Sequence, residues 1–414
     1  MSQPLIRRPH YLKLLHEWRE NGLIKVIMGP RRCGKSFLLK LFREELLHSG
    51  ITDAQILSFE LDRLEEEVYH DPHRLHEAVL SRLQPGKNCF LFIDEVQECR
   101  GFEKVLASLG ARDGIDIYVT GSNAYMLSGE LATYLTGRYM PLEMLPLSFS
   151  EFRDAVSEDH RSAREDFLRY MKIGGFPALI PYRENEAYVN LYLKNLLSDM
   201  LLKDVLPRYR LRSVGLMNRL IRTMTSSVGS SLSLKNIVNT LSAAQQKLSP
   251  LTIASYVESL EDCYLFLKAE RFDVRGREAL RSLEKYYLSD PGFRQAEIHS
   301  PEPDLGHQLE NIVYLELRRR YPKVSIGKAG DTEVDFVTEK DGEFAYFQVA
   351  LTVLEPATLQ RELRPFTLIP DNYPRYLITT DDLGSGRNLN GVRQLNVCDW
   401  LLDLPESYKR TTSS

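Results

Sequence analysis

The sequence predicts an α/β protein built from several domains. Short apolar runs typical of buried strands, such as residues 23–28 and 89–93, occur beside segments whose apolar residues recur at helical spacing. A glycine-rich turn joins the first of these strands to the first of these helices. The chain has 414 residues, which at roughly 100–200 residues per domain corresponds to about two to four domains. Each domain is then long enough to bury a core of its own.

The composition is that of a globular protein without a general affinity for polyanions. The hydrophobic fraction is 43% and the charged fraction is 27%, values close to the average for globular proteins. The formal net charge is -4. A nucleic acid or an anionic membrane would therefore have to be recognised by a local basic patch.

Cysteine spacing and hydropathy indicate the cellular compartment in which the protein is expected. The five cysteines are odd in number and widely spaced, with no CxxC pair, a pattern typical of free thiols in a reducing compartment. No apolar stretch approaches about 18 residues, and the first residues lack the apolar run of a secretory signal. We therefore expect a cytoplasmic protein that does not enter a membrane.

A loop of the form GxxxxGKS separates the first strand from the first helix. Such a loop wraps backbone N–H groups around phosphate oxygens, and the helix N-terminus adds a favourable dipole. We expect Lys35 to reach the β and γ phosphates and Ser36 to offer its hydroxyl to Mg²⁺. The sequence thus predicts a P-loop that binds ATP with Mg²⁺, the alternative being a plain glycine turn. The predicted binding residues are Gly29, Pro30, Arg31, Arg32, Cys33, Gly34, Lys35, Ser36 and Phe37.

Polar residues end the next two predicted strands. Asp94 and Glu95 follow the run 89–93, and they suit the two acids that a P-loop hydrolase needs, one to hold Mg²⁺ and one to polarise the attacking water. Residues 115–120 then lead into Gly121, Ser122 and Asn123. Either Ser122 or Asn123 is predicted to contact the γ phosphate, unless this glycine segment serves only as a turn.

Five short stretches together resemble a known family. GPRRCGKS, FLFIDEVQ, YVTGSNAYML, TGRYMPLEMLPLSFSEF and GGFP are similar to the prokaryotic AAA+ ATPases in which the ATPase is followed by a domain of uncharacterised function. The resemblance implies that Lys35 and Ser36 form the Walker A pair, Asp94 and Glu95 the Walker B pair, and Ser122 or Asn123 the first sensor. It also implies that Arg138 approaches the γ phosphate of its own or of a neighbouring subunit. An ordinary surface arginine is the alternative for Arg138.

The order of motifs predicts four domains and a tail. A helical lid is expected after the ATPase core, since a turn at GGFP breaks a series of helices. Two helices and a hairpin then resemble a winged helix, and a final α/β unit resembles the restriction-endonuclease-like fold. The predicted boundaries are 1–147 for the ATPase core, 148–206 for the lid, 207–299 for the winged-helix domain, 300–407 for the endonuclease-like domain and 408–414 for a disordered tail.

Two basic clusters are candidates for DNA contacts. One follows the lid, and the other lies on the wing of the predicted winged helix, whose presumed recognition helix is acidic. A solvated hairpin tip, or a winged helix that binds protein, explains the second cluster equally well. The residues are Arg208, Arg210, Arg212, Arg219 and Arg222 in the first cluster, and Arg271, Arg275, Arg277 and Arg281 in the second.

The last domain carries a partial nuclease pattern. Glu310 on a helix, Asp335 on a strand and Gln348 on the next strand resemble the acids that bind Mg²⁺ in endonuclease-like folds, with Glu333 as a further ligand. Ala350 stands where the resemblance places a catalytic lysine. We therefore expect no efficient cleavage of nucleic acid. The alternative is that Lys328 or Lys340 folds in to replace the missing ammonium.

The sequence as a whole favours an AAA+ type ATPase that couples Mg-ATP hydrolysis to conformational change of its accessory domains. Its expected ligands are ATP and ADP, and the family resemblance suggests a homo-oligomer. Two other functions stay open, namely an ATP-dependent DNA-binding or DNA-processing protein and a nucleotide-switched scaffold for protein partners with little turnover.

Overall fold

A computed structural model describes residues 6–124, 134–135, 137–206, 214–242, 249–298 and 304–402. The chain divides into two compact units after Pro146, with Asp262–Tyr264 grouped with the first unit. This division lies next to the predicted end of the ATPase core. The predicted tail 408–414 lies outside the described residues. Over the part of the chain that is described, no helix is both long and apolar enough to cross a membrane.

The first unit is built on a five-stranded parallel sheet. The strand order is β2-β3-β4-β1-β5. Apolar residues line both faces of β1 and β3, as expected of parallel strands covered on both sides. The α/β class predicted from the sequence is confirmed. The strands are β1 (Ile24–Met28), β2 (Ile56–Glu60), β3 (Cys89–Asp94), β4 (Ile115–Gly121) and β5 (Tyr139–Glu143).

Helices cover this sheet and complete its core. The cluster on one face joins Leu15 of the first helix and Phe42 of the second to Phe92 and Tyr118 of the sheet. Burying such large side chains stabilises each by roughly 1.5–3 kcal/mol relative to exposure. The described helices are α1 (Pro9–Glu17), α2 (Lys35–His48), α3 (Pro72–Arg82) and α4 (Phe102–Leu109).

A buried arginine ties the start of the first unit to its end. Arg8 is 3% exposed, and its guanidinium donates to the Cys33 carbonyl at 3.1 Å and to the Leu145 carbonyl at 2.8 Å. The Tyr11 hydroxyl accepts from the Leu145 N–H at 3.1 Å. Arg8 therefore links the glycine-rich loop to the residues that precede the second unit.

The second unit begins with helices. The segment predicted to form the lid is helical, as its apolar periodicity indicates, and its role as a lid stays a prediction. Two further helices precede the hairpin, as the sequence predicts. The described helices of this part are α5 (Phe149–Ala155), α6 (Ala163–Ile173), α7 (Glu186–Met200), α8 (Val214–Ser226), α9 (Leu234–Ser242) and α10 (Pro250–Asp262).

The remainder of the second unit is a mixed eight-stranded sheet. Its order is β12-β13-β11-β10-β9-β8-β6-β7. The strands are β6 (Phe266–Asp273), β7 (Glu278–Leu288), β8 (Lys323–Ala329), β9 (Thr332–Lys340), β10 (Glu343–Val349), β11 (Arg375–Thr379), β12 (Asn388–Leu389) and β13 (Val392–Asn396). The helices are α11 (Gly292–Glu297), α12 (Leu305–Arg320), α13 (Pro356–Thr367) and α14 (Val397–Leu402).

The hairpin predicted to be the wing is part of this large sheet. Strand β6 pairs in parallel with β8, from Arg271 opposite Ile326 to Asp273 opposite Lys328. The predicted boundary between 207–299 and 300–407 therefore cuts through a continuous sheet. The reason is that Phe272 and Val274 pack into the same core as Val337 and Tyr346, a long-range contact that local periodicity does not reveal.

Three glycines meet one buried carboxylate in the second unit. Asp290 accepts from the Gly175 N–H at 2.7 Å and from the Gly292 N–H at 2.8 Å. Gly174 has φ 75° and ψ -166°, a combination essentially restricted to glycine. A Cβ at Gly174 would lie 1.7 Å from Oδ1 of Asp290. The GG of the GGFP segment is thus needed for a close approach of two chain segments.

We expect Gly174→Ala to lower the free energy of unfolding by about 3 kcal/mol or more, because it adds a disfavoured backbone conformation to a steric clash. Chemical denaturation of the purified full chain measures this change. Gly342→Ala is the matched control, because Gly342 has φ 80° but a Cβ added there would meet no atom within 4 Å, and we expect it to cost about 1 kcal/mol. Equal losses in the two variants would contradict the role given to the contact with Asp290.

Candidate functional site

The glycine-rich loop leaves the carboxyl end of β1 and enters α2. Gly29 has φ 154°, and a Cβ there would lie 1.9 Å from the Met144 carbonyl oxygen. Gly34 caps α2 with φ 109°, and Arg32 between them has φ 63°. The two glycines therefore permit a path that other residues could not follow. The loop forms between a strand and a helix, the context in which such loops bind phosphate.

Lys35 lies over this loop. The residue is 4% exposed, and its ammonium donates to the Gly29 carbonyl at 3.0 Å and to the Pro30 carbonyl at 3.1 Å. Both acceptors belong to the loop itself. A phosphate seated in the loop would therefore lie within reach of this positive charge and of the N-terminus of α2.

Asp94 lies at the end of β3 and contacts the Ser36 hydroxyl. Burial raises the pKa of Asp94, and hydrogen bonds from Ser36 and Thr120 oppose that rise. The Thr120 hydroxyl donates to Oδ1 of Asp94. A hydroxyl and a carboxylate are oxygen ligands of the kind Mg²⁺ prefers. Ser36 and Asp94 thus fit a magnesium ion beside the phosphate loop.

Glu95 follows Asp94 in a left-handed backbone conformation, with φ 51° and ψ 52°. Its N–H donates to the Thr120 hydroxyl oxygen at 2.9 Å. Its carboxylate is half-buried and accepts a hydrogen bond from the side-chain amide of Gln97. Glu95 is therefore fixed at both its backbone and its side chain.

Two residues of this site were not predicted. Thr120 bridges Asp94 and Glu95, whereas the sequence favoured Ser122 or Asn123 as the polar contact from β4. Those two side chains are buried just beyond β4, at 1% and 4% exposure, and their role as a sensor stays a prediction. The parallel register of β3 and β4 is the feature that could have identified Thr120. Ile93 lies opposite Val119, so the next residues on the two strands, Asp94 and Thr120, also lie side by side. Gln97 carried no comparable signal.

Arg138 lies at the end of the strands opposite the phosphate loop. It precedes β5, and its carbonyl accepts from the N–H of Ile24, the first residue of β1. The phosphate loop leaves the opposite end of β1 at Met28, four residue steps or about 13 Å away. Arg138 is exposed. This separation favours action on a neighbouring subunit over action within its own chain. A role at a nucleotide stays a prediction, with an ordinary surface arginine as the alternative.

The arginines predicted to contact DNA are largely held by the protein. Arg271 pairs with Glu333 at 2.8 Å, and Arg277 pairs with Asp371 at 3.8 Å. Arg275 donates to the Leu368 carbonyl at 3.4 Å. These contacts do not favour the wing as a DNA-binding surface. Of the other basic residues, Arg219 and Arg222 are exposed on α8, while Arg208, Arg210, Arg212 and the side chain of Arg281 lie outside the described residues.

The partial nuclease pattern comes together around an unpredicted lysine. Lys285 of β7 lies 3.2 Å from Glu310 and 2.6 Å from Glu333. Gln348 accepts from the Asp335 N–H at 3.3 Å. Lys328 and Lys340, the predicted substitutes, are exposed on the surface. The positive charge of this cluster therefore comes from the hairpin, which the sequence assigns to another domain.

One lysine faces three carboxylates in this cluster. Burial, followed by the Glu310 carboxylate, raises the pKa of Asp335 well above its usual value, and Lys285 opposes that rise. Burial alone would lower the pKa of Lys285, but Glu310, Asp335 and Glu333 together raise it. Among the described residues, no group of three or more histidines, cysteines or carboxylates is placed to hold a metal ion. The cluster is thus a lysine–carboxylate network.

Known protein families and relatives match this chain over most of its length. Residues 21–153 match the family model described as an AAA domain, and residues 164–303 match a domain of unknown function. An uncharacterized protein of Haemophilus influenzae is 34% identical over 97% of this chain and 100% of its own length. An uncharacterized protein of Methanocaldococcus jannaschii is 29% identical over 87% of this chain and 83% of its own. The structure of a Walker-type ATPase of Pyrococcus abyssi superposes with a TM-score of 0.49 at 16% identity, covering 72% of this chain and 99% of that one.

We expect Lys285→Met to lower the free energy of unfolding at neutral pH by about 3–5 kcal/mol, because it leaves buried carboxylates without a counter-charge. The loss should shrink as the pH falls from about 8 to about 5. Without the ammonium the folded state holds protons that the unfolded state releases, so the stability of the variant falls as the pH rises. Denaturation at several pH values measures both effects.

The control for this variant is Lys323→Met. Lys323 pairs with Glu339 at 2.8 Å, but its side chain is 52% exposed, so we expect a loss of about 1 kcal/mol or less with little dependence on pH. A Lys285→Met chain that matched this control would show that the cluster does not depend on the lysine.

Proposed function

This chain belongs to the family of AAA-domain proteins that includes the Haemophilus influenzae relative, and on that premise we propose that it binds Mg-ATP and hydrolyses it. The observation that carries the proposal is the contact between Ser36 of the phosphate loop and Asp94 of β3, made beside Lys35. These residues are far apart in sequence and meet where a triphosphate and its cation would lie.

The residues divide the chemistry between binding and water activation. Backbone N–H groups of the loop and the Lys35 ammonium would bind the β and γ phosphates. Ser36 and Asp94 would hold Mg²⁺, which would offset the negative charge of the phosphates. Glu95 would accept a proton from the attacking water, and its fixed backbone keeps the carboxylate near the end of the sheet. Ser122 and Asn123 remain candidates for contact with the γ phosphate.

Hydrolysis is proposed to drive conformational change outside the ATPase unit. Support comes from Arg8, which binds the Cys33 carbonyl of the loop and the Leu145 carbonyl at the end of the unit. A shift of the loop on nucleotide binding would therefore act on the chain segment that leads into the second unit.

The central test compares two single substitutions. We expect Lys35→Ala to weaken ATP binding by at least about tenfold, because it removes the positive charge over the loop. We expect Glu95→Gln to bind ATP with the affinity of the parent but to turn it over about 10²-fold more slowly, since an amide cannot accept the proton. Equilibrium titration with a fluorescent ATP analogue and release of inorganic phosphate measure the two effects. Parental turnover in Glu95→Gln would contradict the assignment of the base.

A mixing experiment tests Arg138. If Arg138 completes the site of a neighbouring subunit, then Arg138→Ala and Lys35→Ala should each be inactive alone, yet a mixture should recover part of the parental turnover. Recovery is expected because a Lys35→Ala subunit can supply its intact Arg138 to the intact phosphate loop of an Arg138→Ala subunit. Full activity of Arg138→Ala alone would remove Arg138 from the mechanism. Mixing Lys35→Ala with Glu95→Gln is the control, and no recovery is expected there if both substitutions disable the subunit's own site.

A further inference from the structure

We infer that Gln97 is a positioning residue for Glu95, whose side-chain amide orients the carboxylate toward the attacking water. The inference rests on the proposed ATPase function, because it gives Gln97 a role only through Glu95. It adds a third member to the DE pair at the end of β3, two residues further along the chain.

The backbone contact of Glu95 does not fix the position of its side chain. Thr120 fixes the Glu95 backbone through the N–H, but that contact does not set the side-chain torsions. Within the described part of the chain, the Glu95 carboxylate accepts its hydrogen bond from the Gln97 amide, at Oε2. The amide therefore decides where the carboxylate points, and it leaves Oε1 of Glu95 available to accept from water.

Gln97 is itself held by its surroundings. It lies in a short 3₁₀ turn, Val96–Glu98, between the fully buried side chains of Val96 and Cys99. The neighbouring carboxylate can only accept hydrogen bonds, so the NH₂ end of the amide must face Glu95. This short, anchored turn gives the amide little freedom to move away.

The other end of the Gln97 amide has no evident structural use. Its Oε1 atom is buried and finds no hydrogen-bond partner among the described residues. A buried acceptor without a partner is unfavourable, and an apolar side chain of similar size would avoid that cost. Packing alone does not require the polar end of this side chain, whereas a hydrogen bond to Glu95 requires the whole amide group.

The chemical consequence concerns the orientation of the Glu95 carboxylate. Holding the carboxylate in one orientation removes rotational freedom that would otherwise be lost during the reaction. Loss of the amide should therefore reduce turnover while leaving the phosphate-binding residues unaffected.

Two variants of the full chain test this inference. We expect Gln97→Ala to lower kcat for ATP about tenfold or more, with KM and the affinity for ADP unchanged. Gln97→Glu keeps the size of the side chain but replaces the amide donor with a second acceptor, so we expect its kcat to fall about as far as that of Gln97→Ala. Glu98→Ala, an exposed neighbour on the same turn, should keep the parental kcat.

The outcomes separate this inference from the function on which it rests. Parental kcat in Gln97→Ala or in Gln97→Glu overturns the inference when Glu95→Gln turns ATP over about 10²-fold more slowly than the parent. Normal turnover in Glu95→Gln overturns the proposed base itself. Unchanged ADP affinity shows that the phosphate site is intact, so a loss of kcat cannot be attributed to misfolding.

Discussion

The buried carboxylate of Asp94 is the constraint on which the ATPase unit depends. Burial disfavours its charged form, and the hydroxyls of Ser36 and Thr120 offset that effect. Those hydroxyls belong to α2 and β4, so one carboxylate joins the strands β3 and β4 and the helix α2. The parallel register brings Thr120 level with Asp94, and the phosphate loop brings Ser36. A shift of any one element would leave a buried charge without its hydrogen bonds.

A second constraint on the phosphate loop comes from Met144, which follows β5. The Met144 N–H donates to the Met28 carbonyl at 2.6 Å, so the end of β5 lies directly against the start of the loop. This contact leaves no room for a side chain at Gly29. The loop is therefore confined between Met144 on one side and the phosphate position on the other. Such confinement pre-organises the N–H groups before nucleotide binds.

What the sequence could predict depended on the range of the interactions. Lys35, Ser36 and Asp94 were predicted because each is marked by a local pattern, a glycine loop or a strand that ends in acids. Thr120 was missed because its role depends on the register between two strands. Lys285 was missed because β7 was assigned to a separate domain, and because the strand carries other charged residues that gave no sign of a buried lysine. The carboxylates that pair with Arg271 and Arg277 lie far along the chain. The sequence alone therefore did not show that the charges of these two arginines are paired within the protein.

The Arg8 contact also bears on how the unit forms during synthesis. Arg8 and Leu145 are 137 residues apart in sequence, so their contact closes nearly the whole unit into one loop. Closing so long a loop costs chain entropy, and contacts of this separation form late in folding. The Cys33 carbonyl is only 25 residues from Arg8, so that contact does not depend on the closure. A growing chain would therefore hold Arg8 on both carbonyls only after residue 145 has left the ribosome, and nucleotide would stabilise the completed unit rather than its fragments.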